Sequence, residues 1–324
     1  MTPAPEGEVI GWASVDGGTK GGGTAAPTMV SSFSELMKGA AGTQAATLWI
    51  KGSLTGNLAV GSNKTLIGLC GAEFHGHIEL SGSSNVIIRD LKIVGYGSGD
   101  CSKDPDYDSS VGCSSGQDAI SVQKSSHNIW FDHCDISDGT DGNLDITNAA
   151  NNVTVSWTKF HYTPRTDTQG NDSTGAQGHR FSNLVGGTDN PSTDDAHALN
   201  VTWHHNWWAD NVVERQPRVR FGKNHLFNNL WTSQQTNYCV RGGKQAQIWV
   251  EKSVFLGVKS PLQFNNSSDQ GTANIKSTDN VFTNTSADMV TGGGGPALTS
   301  LPYPYLPDPT QGLEQAIREG AGPR

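Results

Sequence analysis

The chain has 324 residues, of which 16% are charged and 34% hydrophobic, and it contains 40 glycines. Its formal net charge of -9 argues against nucleic acid as a general partner, and no apolar run is long enough to span a membrane. Ser, Thr and Asn are abundant and few stretches favour a helix, so the composition is typical of an all-β protein with many turns.

The two ends of the chain differ from the rest in pattern. The N-terminus (MTPAPE) has no charged region followed by an apolar stretch, so we predict no signal peptide within the chain. Ser32 and Glu35 have the spacing of a helix capping box, and FSELMKGA (33–40) predicts a short helix. Residues 291–310 are rich in Gly and Pro and cannot form a strand interior, whereas GLEQAIREG (312–320) predicts a short terminal helix.

Strand-like runs that begin with a polar residue recur along the chain. They start at Asn63, Asn85, Asn128, Asn152, Asn200, Asn224, Gln247 and Asn274. Five of the seven steps are 22 to 27 residues, and the other two are 43 and 48. We interpret the 43-residue step as two coils, with AISVQ (119–123) as the missing strand, and the 48-residue step as either one coil plus a long loop or two coils.

A period near 23 residues with short strands and no helical phase predicts a parallel β-helix. The alternative is a β-sandwich, which does not explain why whole Asn-led segments recur at about twice its usual strand spacing. We expect one domain with short N- and C-terminal capping helices, because the terminal coils of a solenoid expose their cores. Its parts are an N-terminal cap (1–45), the coils (46–290) with polar excursions at 97–117 and 163–199, and a C-terminal wrap (291–324).

Three acidic residues fall at the spacing of this repeat. Asp141 and Asp145 are four positions apart, so on a strand they would face the same side. Asp118 lies 23 positions before Asp141 and would stack roughly 4.8 Å from that strand. Three converging carboxylates repel one another unless a hard cation such as Ca²⁺ binds their oxygens. The alternative is that they are ordinary turn acids beside glycines.

A second cluster is cationic, with Arg215, Arg218, Arg220 and Lys223 within nine residues. Arg241 follows Arg218 by 23 positions and should stack beside it. Guanidinium groups in a row bind repeating carboxylates or phosphates through paired hydrogen bonds, although a solvated charge run would show the same pattern. Beside a cation site, these arginines predict a site for an anionic polymer.

Cysteines and histidines leave further possibilities open. Cys101 and Cys113 lie in a polar loop and could close a short disulfide. The other cysteines, in strand-like runs where we expect buried free thiols, are Cys70, Cys134 and Cys239. The histidines that could suggest a zinc site are His133, His204 and His205. Within strands we interpret them as stacked or hydrogen-bonded structural residues.

Several motifs together resemble the extracellular pectate lyases, polysaccharide lyase family 1. They include WFDHC (130–134), RQPRVR (215–220) and the opening GWASVDGGTKGG (11–22), and the resemblance runs through most of the chain. It implies a right-handed parallel β-helix with a groove along one sheet, and Ca²⁺-dependent β-elimination of α-1,4-polygalacturonate. It also implies a secreted enzyme whose signal peptide has been removed, and we expect a monomer.

The resemblance also implies roles for single residues. These are the calcium ligands Asp118, Asp141 and Asp145, the base Arg215, and the substrate-binding residues Arg220 and Arg241. We expect Arg218 and Arg180 to bind substrate as well. Arg180 stands in for a lysine that the family usually has there, with the register off by one. We expect Ca²⁺, Arg218 and Arg220 to lower the pKa of Arg215 and so favour the neutral form that a base requires.

Other activities remain as alternatives. A pectin lyase on the same fold would act on methyl esters without calcium, and retention of all three aspartates argues against it. A polygalacturonase-like hydrolase would need a paired-carboxylate acid and base. A non-catalytic β-helix adhesin would have no need of the arginine row.

Overall fold

The computed structural model describes residues 7–97, 109, 116–164, 179–194, 197–286 and 289–324. Throughout this part of the chain the named strands pair in parallel and the backbone winds in successive coils. Each full coil passes through three strand positions, which form three lengthwise faces that we call face 1, face 2 and face 3. The structure confirms the all-β parallel solenoid predicted from the repeat.

Face 1 is a ten-stranded parallel sheet. Its strands are β1 (Pro27–Val30), β2 (Ala46–Ile50), β4 (Lys64–Gly68), β6 (Ser84–Arg89), β9 (His127–Asp132), β12 (Asn151–Ser156), β15 (Val201–His204), β18 (Lys223–Phe227), β21 (Gln247–Glu251) and β24 (Asn274–Thr278). Every predicted Asn- or Gln-led segment begins within one residue of a face 1 strand.

Faces 2 and 3 are two halves of a second sheet, joined at β5 (Glu73–Ser81), which β3 (Ser53–Ala59) flanks. Face 2 consists of β7 (Lys92–Val94), β10 (Asp135–Ser137), β13 (Lys159–His161), β16 (Trp207–Trp208), β19 (Leu230–Trp231), β22 (Val254–Leu256) and β25 (Val281–Thr283). Face 3 consists of β8 (Ile120–Gln123), β11 (Leu144–Ile146), β14 (Leu184–Val185), β17 (Arg218–Val219), β20 (Val240–Gly242) and β23 (Leu262–Phe264).

Asparagines recur at the start of face 1 strands because the backbone there turns sharply. Asn63, Asn85, Asn128 and Asn152 all have positive φ, between 51° and 59°, a conformation that Asn tolerates better than most residues. The side chains of two of them pair along the solenoid, since Asn85 Nδ2 donates to Asn63 Oδ1 at 2.8 Å.

The interpretation of the 43-residue step as two coils is wrong. Strand β6 pairs directly with β9, with Val86 opposite Ile129, so the step is one coil. Residues 120–123 form β8 on face 3 and do not supply a missing face 1 strand. The extra length falls between β7 and β8. The 48-residue step is also one coil with a long loop, because β12 pairs directly with β15.

The interior contains a stacked row of aromatic rings from face 2. Its members are Phe160, Trp208, Trp231, Phe255 and Phe282, with successive ring centroids 5.6, 4.9, 4.1 and 5.0 Å apart. These residues are register partners in consecutive strands, so each ring lies on the ring of the next coil. Ring stacking and apolar burial therefore join each coil to its neighbours.

The predicted helix at the N-terminal end forms as α1 (Phe33–Ala40), with the predicted capping box. Ser32 Oγ accepts from the backbone N–H of Glu35, and the Glu35 carboxylate accepts from the backbone N–H of Ser32. Leu36 and Ala40 are buried, so this face of α1 covers the first coils. The remaining described helices are α2 (Pro191–Asp194), α3 (Ser267–Thr272), α4 (Leu313–Gly320) and a 3₁₀ turn at Trp12–Ser14.

Helix α4 forms where predicted but packs on the side of the solenoid. Leu313 and Ile317 form a cluster with Leu230 and Val254 on the outside of face 2. The chain then returns towards earlier coils, where Arg324 Nε donates to Asp90 Oδ1 at 3.0 Å. No described helix is both long and apolar enough to cross a membrane.

The cysteine and histidine predictions are partly answered. Cys101 and Cys113 lie outside the described residues. Cys134 and Cys239 are buried free thiols as expected, whereas Cys70 lies in a turn and is exposed. His133 and His205 stack on the two sides of Trp157, with ring centroids 5.6 and 4.3 Å away, which agrees with a structural role for these histidines.

Candidate active site

Face 3 carries the three aspartates. Asp118 and Asp141 lie in the turns that precede β8 and β11, and Asp145 lies on β11. One oxygen of each carboxylate lies within 4.8 Å of the other two, and in the described part of the chain no other three His, Cys, Asp or Glu converge in this way. The repeat predicted this convergence. It did not predict that Asp141 lies outside the strand, or that the register partner of Asp145 is Ser121.

The cluster has the properties of a cation site. Burial, with the charges of Asp145 and Asp141, raises the pKa of Asp118 well above its usual value. Burial also raises the pKa of Asp145 to about 7, although Arg215 opposes this. Asp118 Oδ1 is buried and has no hydrogen-bond partner among the described residues. These oxygens carry more negative charge than the nearby groups compensate, which fits a hard divalent cation.

Glycine at position 142 leaves space beside these oxygens. A Cβ atom there would lie 2.9 Å from Asp145 Oδ1 and 3.0 Å from Asp118 Oδ1. Any larger residue would therefore crowd the two carboxylates. The space over Gly142 is further evidence that the aspartate cluster suits an ion.

Asp141 differs from the other two aspartates because it has a partner of its own. His179 Nε2 lies 2.8 Å from Asp141 Oδ1. Burial would raise the pKa of Asp141, but His179 and Arg215 outweigh it and hold the pKa below its usual value. Sequence reasoning did not identify His179, which lies in the long excursion before β14, and its position beside Arg180 was the only signal.

Arg215 is close enough to both the aspartates and the other arginines to affect their pKa values. Its backbone φ is 58°, and its guanidinium lies 4.7 Å from the centre of the Phe181 ring. The expectation of a lowered pKa depended on bound Ca²⁺ and stays a prediction, whereas the described residues by themselves act in the opposite direction. Burial alone would lower the pKa, but Asp145, Tyr238, Asp141 and Asp118 outweigh it and raise the pKa above its usual value.

The other arginines each have contacts of their own. Arg218 Nη2 donates to Asn265 Oδ1 at 3.3 Å, and Arg220 Nε donates to Asp189 Oδ1 at 3.0 Å. Arg218 and Arg241 are register partners on β17 and β20, as the 23-residue spacing predicted. The Arg241 guanidinium lies 3.4 Å from the centre of the Tyr238 ring.

Two predicted cations lie outside this row. Arg180 is only 4% exposed, and the next residue, Phe181, is the one that contacts Arg215. A substrate-binding role for Arg180 stays a prediction, and its burial does not favour it. Lys223 begins β18 on face 1 and so does not join the arginines of face 3.

A cavity of about 360 Å³ adjoins Asp118 and Asp141 on the side of the earlier coils. Polar residues dominate its lining, including Asn57, His77, Glu79, Gln117 and Gln123. His77 Nδ1 lies 2.7 Å from the backbone oxygen of Asp118 and so helps to hold the turn that carries this carboxylate. Face 3 thus presents polar and acidic residues at one end and arginines at the other.

The fold and these residues define a parallel β-helix protein with one face suited to a cation and an anionic polymer. The family model for pectate lyases matches residues 2–312. Pectate lyase A of Aspergillus niger is 32% identical over 97% of this chain and 87% of that protein. Pectate lyase B of Colletotrichum gloeosporioides is 35% identical over 72% of this chain, and the match spans 63% of that protein.

Solved structures show the same fold. The crystal structure of pectate lyase Bsp165PelA from Bacillus sp. N165, in complex with trigalacturonate, is 24% identical, with a TM-score of 0.76 and 98% of both chains covered. A pectate lyase bound to a hexasaccharide has a TM-score of 0.75 at 20% identity and covers 97% of this chain and 96% of that one. The chain belongs to the pectate lyase family, whose members are polysaccharide lyases.

Proposed function

We propose that the chain is a calcium-dependent pectate lyase that cleaves α-1,4-polygalacturonate by β-elimination and leaves a 4,5-unsaturated oligogalacturonide. The observation that supports this most strongly is the convergence of three aspartates within 4.8 Å of one another, with Arg215 close enough to affect the pKa of each. Family membership supplies the reaction class.

Asp118, Asp141 and Asp145 would hold the Ca²⁺. When bound, the cation neutralises the substrate carboxylate next to C5 and stabilises the enolate-like charge that develops there. The chain holds the ligand oxygens in place. Ser121 Oγ donates to Asp118 Oδ2 at 2.7 Å, and the backbone N–H of Leu184 donates to Asp145 Oδ1 at 2.9 Å.

Arg215 would accept the C5 proton, and the C5–H electron pair would form the C4–C5 double bond. The C4–O bond would break with its electron pair remaining on the leaving oxygen, which takes a proton from water. A guanidinium must be neutral to act as a base, and the three carboxylates oppose that by raising its pKa. If bound Ca²⁺ neutralises those carboxylates, the burial of Arg215 remains, and burial favours the neutral form of its guanidinium. We therefore expect the rate to rise with pH into the alkaline range.

Arg218, Arg220 and Arg241 would bind uronate carboxylates beyond the cleaved bond. Arg218 and Arg241 lie on adjacent strands, so a polymer that runs along face 3 meets one after the other. The aspartates and arginines of the proposed site all come from one chain, which supports a monomer. A polymer of plant cell walls lies outside cells, and so the proposal includes secretion.

Absorbance of the unsaturated product, measured on polygalacturonate with and without a chelator, tests the proposal. We expect activity to be lost in chelator and to return with added Ca²⁺. Full activity in chelator on methyl-esterified pectin would favour the pectin lyase alternative. New reducing ends without absorbance would favour the hydrolase.

A further inference from the structure

The Asp189 carboxylate lies between two cations of face 3. Asp189 Oδ1 accepts from Arg220 Nε at 3.0 Å, and Asp189 Oδ2 lies 3.1 Å from Lys244 Nζ. Its side chain is 59% exposed, in the turn that follows β14. One carboxylate thus uses both oxygens to join a guanidinium and an ammonium group, which is also how a uronate carboxylate could bind there.

Both cations are held by other groups as well. Arg220 Nη1 donates to the backbone oxygen of Gly186 at 2.6 Å. Lys244 Nζ lies 3.5 Å from Asp269 Oδ1. Asp269 is only 2% exposed, and its other oxygen accepts from Asn265 Nδ2 at 2.9 Å. Arg220 and Lys244 therefore each have a contact that does not depend on Asp189, and these contacts would hold them in place if Asp189 moved away.

We propose that Arg220 and Lys244 form a binding site for the carboxylate of a galacturonate unit, and that Asp189 occupies this site until substrate displaces it. This inference rests on the proposed function and extends it. Lys244, which sequence reasoning did not single out, becomes a further substrate-binding residue. Asp189 becomes an internal competitor for the substrate carboxylate.

The exchange of one carboxylate for another needs an ionised and easily released Asp189. Slight burial would raise the pKa of Asp189, but Lys244 and Arg220 outweigh it and hold the pKa below its usual value. The group is thus a carboxylate at neutral and alkaline pH. Because the Asp189 side chain is 59% exposed, water screens its ion pairs, and they contribute little free energy, so substrate can replace Asp189 at small cost.

Asp189→Asn tests the competition, because it removes the charge and keeps the shape. We expect the KM for polygalacturonate to fall by about threefold, the order expected when an exposed ion pair is lost. Trigalacturonate should bind more tightly by a similar factor in isothermal titration calorimetry without Ca²⁺. Lys244→Met should raise the KM for polygalacturonate and weaken trigalacturonate binding, each by at least the same factor. Lys223→Met removes the same charge from face 1 and should change neither quantity.

The inference is overturned if Asp189→Asn leaves both quantities unchanged or weakens binding, since Asp189 would then have no role or would position the cations. It is also overturned if Lys244→Met behaves like Lys223→Met, or if the wild-type chain does not bind trigalacturonate. The calorimetric series requires no catalysis. A chain that binds as expected but forms no unsaturated product would contradict the proposed function and leave this inference standing.

Discussion

Replacing Asp145 with Asn should stabilise the calcium-free protein at alkaline pH, although Asp145 belongs to the candidate site. Asp145 is 5% exposed, and burial, opposed by Arg215 and reinforced by Asp141, raises its pKa from 3.8 to about 7. The folded protein therefore holds a proton on this group more tightly than the unfolded chain. The free energy of unfolding therefore falls as the pH rises from 3.8 to about 7. Above that range the folded protein carries the full cost of an ionised, buried Asp145.

The pKa difference sets the size of the effect. At about 1.36 kcal/mol per pH unit, it corresponds to at most about 4 kcal/mol. Asp118 and Asp145 repel each other when both are ionised, so part of the cost assigned to Asp145 belongs to the pair. We therefore expect Asp145→Asn to raise the free energy of unfolding by about 1 to 3 kcal/mol. Asn keeps an oxygen that can accept from the backbone N–H of Leu184. At pH 4 the carboxyl is protonated in the folded state and only partly ionised in the unfolded chain, so only a small part of the gain should remain, and it should vanish at still lower pH.

Urea unfolding in chelator at pH 4 and pH 9 measures this difference. Asp141→Asn is the matched variant from the same cluster. The pKa of Asp141 is lowered, so its ionised form stabilises the fold above the usual Asp pKa, and this substitution should destabilise the protein at pH 9. Added Ca²⁺ should stabilise the wild type more than Asp145→Asn. A loss of stability in Asp145→Asn at pH 9, or an equal gain at pH 4, would refute the reasoning.

Two further predictions concern catalysis and the core. Arg215→Lys should lose most of kcat with little change in KM, because an ammonium group cannot reproduce the planar guanidinium, whereas Arg220→Ala should mainly raise KM. Steady-state kinetics on polygalacturonate distinguish the two, and the reverse pattern would show that the roles are exchanged. Phe255→Ala removes a fully buried ring between Trp231 and Phe282 and should cost about 3–5 kcal/mol in free energy of unfolding. Denaturant unfolding measures that loss, and a loss below about 1 kcal/mol would contradict the stacked core.

The sequence by itself determined the architecture. Each coil must bury the same faces against the next, so the same residue types recur at the same turn, and a period near 23 residues is visible without any structure. The α1 capping box was predictable for a related reason, because Ser32 and Glu35 interact within one helical turn. The aspartates of the candidate site were also found from spacing, since strand stacking converts a sequence period into proximity.

Only the tertiary structure decided what surrounds those residues. A period cannot distinguish an inserted loop from an additional coil, because both lengthen the step, and so the 43-residue step was misread. His179 reaches Asp141 from such an excursion. Asp189 contacts Arg220 and Lys244, which lie on the next two coils. The pKa of Arg215 rises because three carboxylates surround it once the coils have stacked. Charge interactions depend on distances between residues far apart in the chain, and those distances exist only in the folded solenoid.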